Sequence, residues 1–149
     1  MDIRSTGKYP CNVLSNFHPR TFVFDHVLCG SIEGVLQSFK FKNEDMQRNV
    51  CTLVGATAKA TGYGKKWWVK QELYWKGEVY KRDSEDYQKL LDRLYQSVYD
   101  QCPKFRKALS DTGKGKLTHS MGHRKKSETV LTKQEFCSRL TKLRDFGKL

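Results

Sequence analysis

Residues 83–101, "DSEDYQKLLDRLYQSVYDQ", constrain the fold more than any other stretch. Tyr87, Leu90, Leu91, Leu94 and Val98 recur at helical spacing and put an apolar stripe along one side of a long helix, with Asp83 or Ser84 as its N-cap. A stripe of that length is stable only when other elements cover it. Several candidates follow from the rest of the chain. Ser31 to about Phe41 reads as a helix, and a second begins near Asn43, whose side chain caps "EDMQRNVCTLVGATAKA" before Gly62 and Gly64 stop it. Pro103 opens a short helix, "PKFRKAL", closed by "SDTGKG". Thr132 with Glu135 makes a capping box at the head of a final helix through "EFCSRLTKLR".

Strand signals are fewer. "TFVFDHV" alternates, with Phe22 and Phe24 on one face, and predicts a strand. "KLTHSM" predicts a second short strand, "GHRKKSE" a basic loop, and "ELYWKGEVYKR" extended or short helical pieces around Gly77. No repeat, low-complexity tract or domain boundary interrupts the chain, so residues 1–149 are expected to form a single domain.

Lysine and arginine outnumber acidic residues 28 to 16, a net charge of +12. Such a field draws polyanions and phosphorylated ligands. Lys65, Lys66 and Lys70 cluster in one place, and Lys114, Lys116, Arg124, Lys125 and Lys126 in another; a solvated surface accounts for such clusters equally well. The five cysteines form an odd set without a CxxC pair, which argues against both a disulfide framework and a zinc site and for reduced thiols in a cytoplasmic setting. No stretch approaches the roughly 20 apolar residues that span a bilayer, and no signal-like segment opens the chain. No membrane role is expected.

The chemistry concentrates in "SIEGVLQSFKFKN", Ser31 to Asn43. At about 100° per residue, Glu33, Gln37 and Lys40 fall within about 60° of one another on a helix, beside an apolar arc of Ile32, Val35, Leu36 and Phe39. The solvent edge of an amphipathic helix has the same pattern, and spacing alone does not separate the two.

Together, "LSNF" at Leu14 to Phe17 and "SIEGVLQSFKF" resemble the opening signature of the NADAR, or YbiA-like, superfamily: an S-N-F loop, then a helix of pattern E-x-x-x-Q-x-x-K-F. Glu33, Gln37, Lys40 and Phe41 match that helix position by position. The similarity continues through "WKGEVYKRDSEDYQKLL" and "PKFRKAL", "DTGKGKL" for the family's T-G-x-x-x-L turn, and "LTKLR" with Arg144. Two stretches depart from the family. Tyr63 in "TGYGKKWW" stands where an arginine is frequent, with Lys65 or Lys66 to supply the charge. "HSMGHRKKSETVLT" replaces an acidic residue near a tryptophan and a glycine-rich loop.

The resemblance implies an α+β, mostly helical YbiA-like domain with a few short strands. It also implies an N-glycosidase that cleaves a ribose C1–nitrogen bond, removing ADP-ribose from modified guanine in nucleic acid or nucleotides, with no cofactor and no metal. The alternatives are hydrolysis of phosphorylated riboflavin-pathway intermediates and a non-catalytic module that holds NAD-derived nucleotides. For catalysis it implies Lys40 as a desolvated amine able to form a Schiff base and Glu33 as the proton carrier, without a second carboxylate paired to Glu33 unless Asp111 folds into reach. For substrate binding it implies Ser15, Asn16 and Phe17 on the loop, Gln37 on a ribose hydroxyl, Lys65 beside the stacking faces Trp67 and Trp68, and His119 in the divergent loop, with Glu128 a second replacement for the missing acid.

Overall fold

The stripe on residues 83–101 is the spine of the molecule. In the computed structural model, which describes residues 1–149, helix α6 (Glu85–Gln101) buries Tyr87, Leu90, Leu91, Leu94, Tyr95 and Val98. Ser84 caps it, its Oγ accepting from the Tyr87 amide at 3.1 Å. Against α6 pack α7 (Pro103–Asp111), α8 (Lys133–Phe146) and the first hairpin, strands β1 (Phe22–Phe24) and β2 (Val27–Cys29). The predicted capping box is present at the head of α8, where Thr132 Oγ1 accepts from the Glu135 amide at 3.1 Å and Glu135 Oε1 from the Thr132 amide at 2.7 Å.

A second layer carries α2 (Ile32–Ser38), α3 (Glu44–Cys51) and α4 (Gly55–Thr61), with α2 packed on both of the others. Ser31 and Asn43 cap α2 and α3. The chain then runs through α5 (Trp67–Lys70) into a second antiparallel hairpin, β3 (Glu72–Trp75) with β4 (Glu78–Lys81). Short α1 (Cys11–Leu14) precedes the first hairpin. The fold is therefore α+β and mostly helical, and no helix is long and apolar enough to cross a membrane.

Three local expectations are corrected. "TFVFDHV" is a hairpin rather than one strand, turning at Asp25 and His26, both at positive φ. The helix expected from Asn43 to Gly62 breaks after Cys51 and restarts at Gly55. "KLTHSM" forms no strand; it makes one isolated bridge, Asp2 with Thr118, in which the Ile3 amide donates to the Thr118 carbonyl at 2.8 Å and the Thr118 amide to the Met1 carbonyl at 2.9 Å.

Buried polar groups join the elements. Arg82 is wholly buried and donates through Nη1 and Nη2 to both oxygens of Glu135 at 3.1 and 2.6 Å, and through Nε to the Thr129 carbonyl at 2.7 Å. Buried Gln47 donates to the carbonyls of Phe41 and Tyr74, both at 2.8 Å, tying α3 to the end of α2 and to β3. α2 touches its neighbours without side chains between them: a Cβ on Gly34 would lie 2.8 Å from the carbonyl oxygens of Val50, Cys51 and Leu53.

Candidate active site

The S-N-F loop is built against the start of α2. Ser15 Oγ accepts from the Phe17 amide at 3.1 Å, the Asn16 carbonyl accepts from the Glu33 amide at 3.0 Å, and Asn16 Oδ1 accepts from Tyr95 of α6 at 2.8 Å. Arg20 clamps the loop by donating to the Val13 and Ser15 carbonyls while lying over the Phe105 ring, and burial brings its guanidinium down to about 10. Each contact fixes the loop to a rigid element.

A cavity of about 370 Å³ opens between this loop, α2, α4 and the segment 119–131. Ser15, Asn16, Phe17, Glu33, Gln37, Lys40, Trp67, His119 and Glu128 all line it. Lys65 and Trp68 do not: Lys65 lies outside with its ammonium 4.7 Å from the Phe41 ring, and Trp68 is half-exposed on α5. Of the tryptophan pair only Trp67 reaches the cavity, and it is otherwise core. Asp111 is engaged with Tyr9 and Lys107 and does not line the cavity either. Arg144 holds the T-G turn, donating to the Gly115 carbonyl at 2.6 Å. No three His, Cys, Asp or Glu side chains gather as metal ligands would.

Glu33 and Lys40 sit in a medium that disfavours charge. Burial raises the Glu33 carboxyl above the usual carboxylate range, a shift opposed by Gln37, Lys59 and Lys40. Burial likewise lowers the Lys40 ammonium, and Lys59 pushes the same way while Glu33 opposes. Gln37 Nε2 donates to Glu33 Oε1 at 2.9 Å. The Gln37 Oε1 occupies the space that a Cβ on Gly62 would take, 1.9 Å from it, so the amide fits there because residue 62 is glycine. Gln37 thus holds the Glu33 carboxyl through Nε2 and leaves its Oε1 unpaired in the cavity wall. Past Ser38 the helix tightens, with the Lys40 and Phe41 amides donating three residues back to Gln37 and Ser38, and this turn carries Lys40 to the cavity edge.

Some wall residues were not anticipated. Lys59 on α4 lies 6.0 Å from the Phe17 ring, and Tyr63 and Met121, both largely exposed, stand at the rim. The only sequence signal for Lys59 was its single charge in the small-residue run "GATAKAT". His119 is held by Nδ1 donating to the Ile3 carbonyl at 2.7 Å, a contact that puts its lone pair on Nε2 in the neutral ring.

The family model for bacteriophage protein GP30.3 matches residues 8–145. A 17.1 kDa protein of the Gp30–rIII intergenic region of Enterobacteria phage T4, itself uncharacterized, is 36% identical over 149 residues, with 97% of each chain covered. In three dimensions the chain is similar to the NMR structure of the E. coli protein YbiA, with a TM-score of 0.65 at 17% identity over 97% of this chain and 82% of that one. At that identity the likeness shows the fold, and at the level of fold the YbiA-like resemblance of the sequence is borne out.

Proposed function

From the chain's membership of the bacteriophage protein GP30.3 family, and from a YbiA fold with a built cavity, we propose that it is an N-glycosidase, which cleaves a ribosyl C1–nitrogen bond and removes ADP-ribose from modified guanine. The observation that carries this reading is the facing pair in the cavity: a carboxyl pushed toward its protonated form and an amine pushed toward its free base, with Gln37 aiming the carboxyl.

The proposed chemistry uses Glu33 as the acid and Lys40 as the free amine, the forms that burial favours. The Lys40 amine attacks C1, the C1–N bonding pair leaves with the base, and Glu33 gives its proton to the departing nitrogen. The Glu33 carboxylate then takes a proton from the new secondary ammonium. The nitrogen lone pair then expels the ring oxygen from C1, Glu33 returns its proton to that oxygen, and a protonated Schiff base with an opened ring results. Water adds to it and releases the sugar with a free C1 and Lys40 as the amine. Phe17 and Trp67 provide faces for the planar leaving group. Gln37 Oε1, buried in the cavity wall without a partner, is free to accept from a sugar hydroxyl, and Asn16, whose Oδ1 is taken by Tyr95, offers its amide nitrogen beside it.

Release of free ADP-ribose from guanosine carrying ADP-ribose on its base tests the reaction; none at stoichiometric enzyme would sink it. Borohydride should trap the sugar on Lys40, and a fully active Lys40→Ala enzyme would end the Schiff-base route while sparing the glycosidase itself.

A further inference from the structure

Release of the sugar from Lys40 needs proton transfers on the side of C1 that water reaches. Once Glu33 has returned its proton to the ring oxygen, C1 is part of a protonated imine, and water must lose a proton to add to it. Glu33 and Lys40 both stand on α2 and the turn that ends it, whereas the segment 119–131 forms another wall of the cavity. That wall carries His119, His123 and Glu128, all able to take a proton. His123 and Glu128 are exposed, and His119 is half-buried.

The His119 ring is fixed from several directions. Its Nδ1 meets the Ile3 carbonyl at 2.7 Å, its plane stands at 73° to the Phe136 ring with centroids 5.1 Å apart, and its Cδ2 lies 2.6 Å from where a Cβ on Gly122 would be. The Ile3 carbonyl is itself anchored. Ile3 is fully buried, its amide donates to the Thr118 carbonyl at 2.8 Å, and the Asp2 carboxylate accepts from the Ser120 amide at 2.7 Å and the Ser120 hydroxyl at 2.6 Å. A carbonyl only accepts, so Nδ1 carries the proton and Nε2 the lone pair. That lone pair meets no donor of the chain.

We propose that His119 is the catalytic base for hydrolysis of the Schiff base, taking a proton from the water that attacks C1. The proposal deepens the glycosidase reading and rests on its Lys40 Schiff base. As the water oxygen bonds to C1, the C=N π pair moves onto nitrogen and a water proton passes to Nε2, leaving a neutral carbinolamine and an imidazolium. The imidazolium returns that proton to the nitrogen. The Glu33 carboxylate then takes the proton of the C1 hydroxyl, the C–N bonding pair departs with the nitrogen, and the sugar leaves as the aldehyde. Lys40 is again a free amine, Glu33 again protonated and His119 again neutral, so the cycle closes with no further acid or base.

Free ADP-ribose in water enriched in heavy oxygen tests this step by itself, because the aldehyde that forms and leaves the Lys40 imine exchanges its C1 oxygen each time. Mass spectrometry follows the label. His119→Asn keeps an amide donor for the Ile3 carbonyl and lacks Nε2, while His119→Ala leaves a space that added imidazole can fill; thermal midpoints check that each variant folds. The wild type should exchange far faster than Lys40→Ala. Both His119 variants should exchange about 10²-fold or more slowly than the wild type, and imidazole should restore the alanine variant, which a merely structural role of the ring would not allow. Wild-type exchange rates in a folded variant, no response of the alanine variant to imidazole, or no exchange by the wild type would each overturn the proposal. Exchange that depends on His119 in an enzyme that never frees guanosine from its ADP-ribosylated form would instead count against the glycosidase and leave the role of His119 standing.

Discussion

Gly34→Ala is the sharpest test of how α2 is held. On an ordinary helix the change adds about 1 kcal/mol of stability, because alanine restricts the unfolded chain and favours the helix. Here the new Cβ would meet three backbone carbonyl oxygens at 2.8 Å, and ordinary contact begins at 3.4 Å, so α2 and the end of α3 must part by 3.4 − 2.8 = 0.6 Å. None of the three is the flexible end of a side chain, which places the cost at the upper end of the overpacking range, about 3 kcal/mol. The net is a loss of about 2 kcal/mol, or a thermal midpoint lower by about 4–8 °C for a chain of this size. Urea unfolding followed by tryptophan fluorescence measures it, with Gly64→Ala, whose Cβ would meet nothing within 4 Å, as the unstrained control. A Gly34→Ala protein as stable as wild type would refute the account of α2 as a helix seated on bare backbone.

Three further outcomes follow from burial and charge. The Glu33 carboxyl is raised by burial, so its ionisation costs stability as pH rises above 4.5 and through the folded value; Glu33→Gln should gain on wild type in urea midpoints read from pH 4 to pH 8, and an unchanging difference would contradict this. Burial pushes the Glu135 carboxyl up, but Arg82, the Thr132 amide and Gln88 together hold it below the usual range, so its contribution is present above pH 4.5 and fades in acid; Glu135→Ala should cost about 3–5 kcal/mol at pH 7, much less in acid, as chemical denaturation will show. Trp67→Ala should cost about 3–5 kcal/mol and Trp68→Ala less than about 0.5, and equal losses in thermal melts would show that the two rings are misplaced here.

The helix starts were readable because each has a local cause. Ser31, Asn43, Ser84 and Thr132 cap the helices they precede, and no distant contact is needed for that. The first hairpin was not readable as one. Its turn uses Asp25 and His26 at positive φ, where a glycine would have announced it, and the bond from Trp75 Nε1 to Asp25 at 2.8 Å that secures it comes from 50 residues away. The stripe of Glu33, Gln37 and Lys40 was visible in the spacing, but its burial was not, since that depends on α4 closing over it through Gly62. Arg82 shows the same limit from the other side. Its partner Glu135 lies 53 residues on, and nothing in "YKRD" distinguishes a buried arginine from a surface one.

The glycines beneath the site have an evolutionary consequence. With α2 resting on backbone at Gly34 and the Gln37 and Lys40 side chains lying against Gly62, a larger residue at either glycine would displace Glu33 and Lys40 together. New specificities in chains of this design must enter through the rim instead, where Tyr63, Met121 and His123 face solvent and can change at little cost to stability. The buried pair is held in place by the fold, while the rim around it is free to drift.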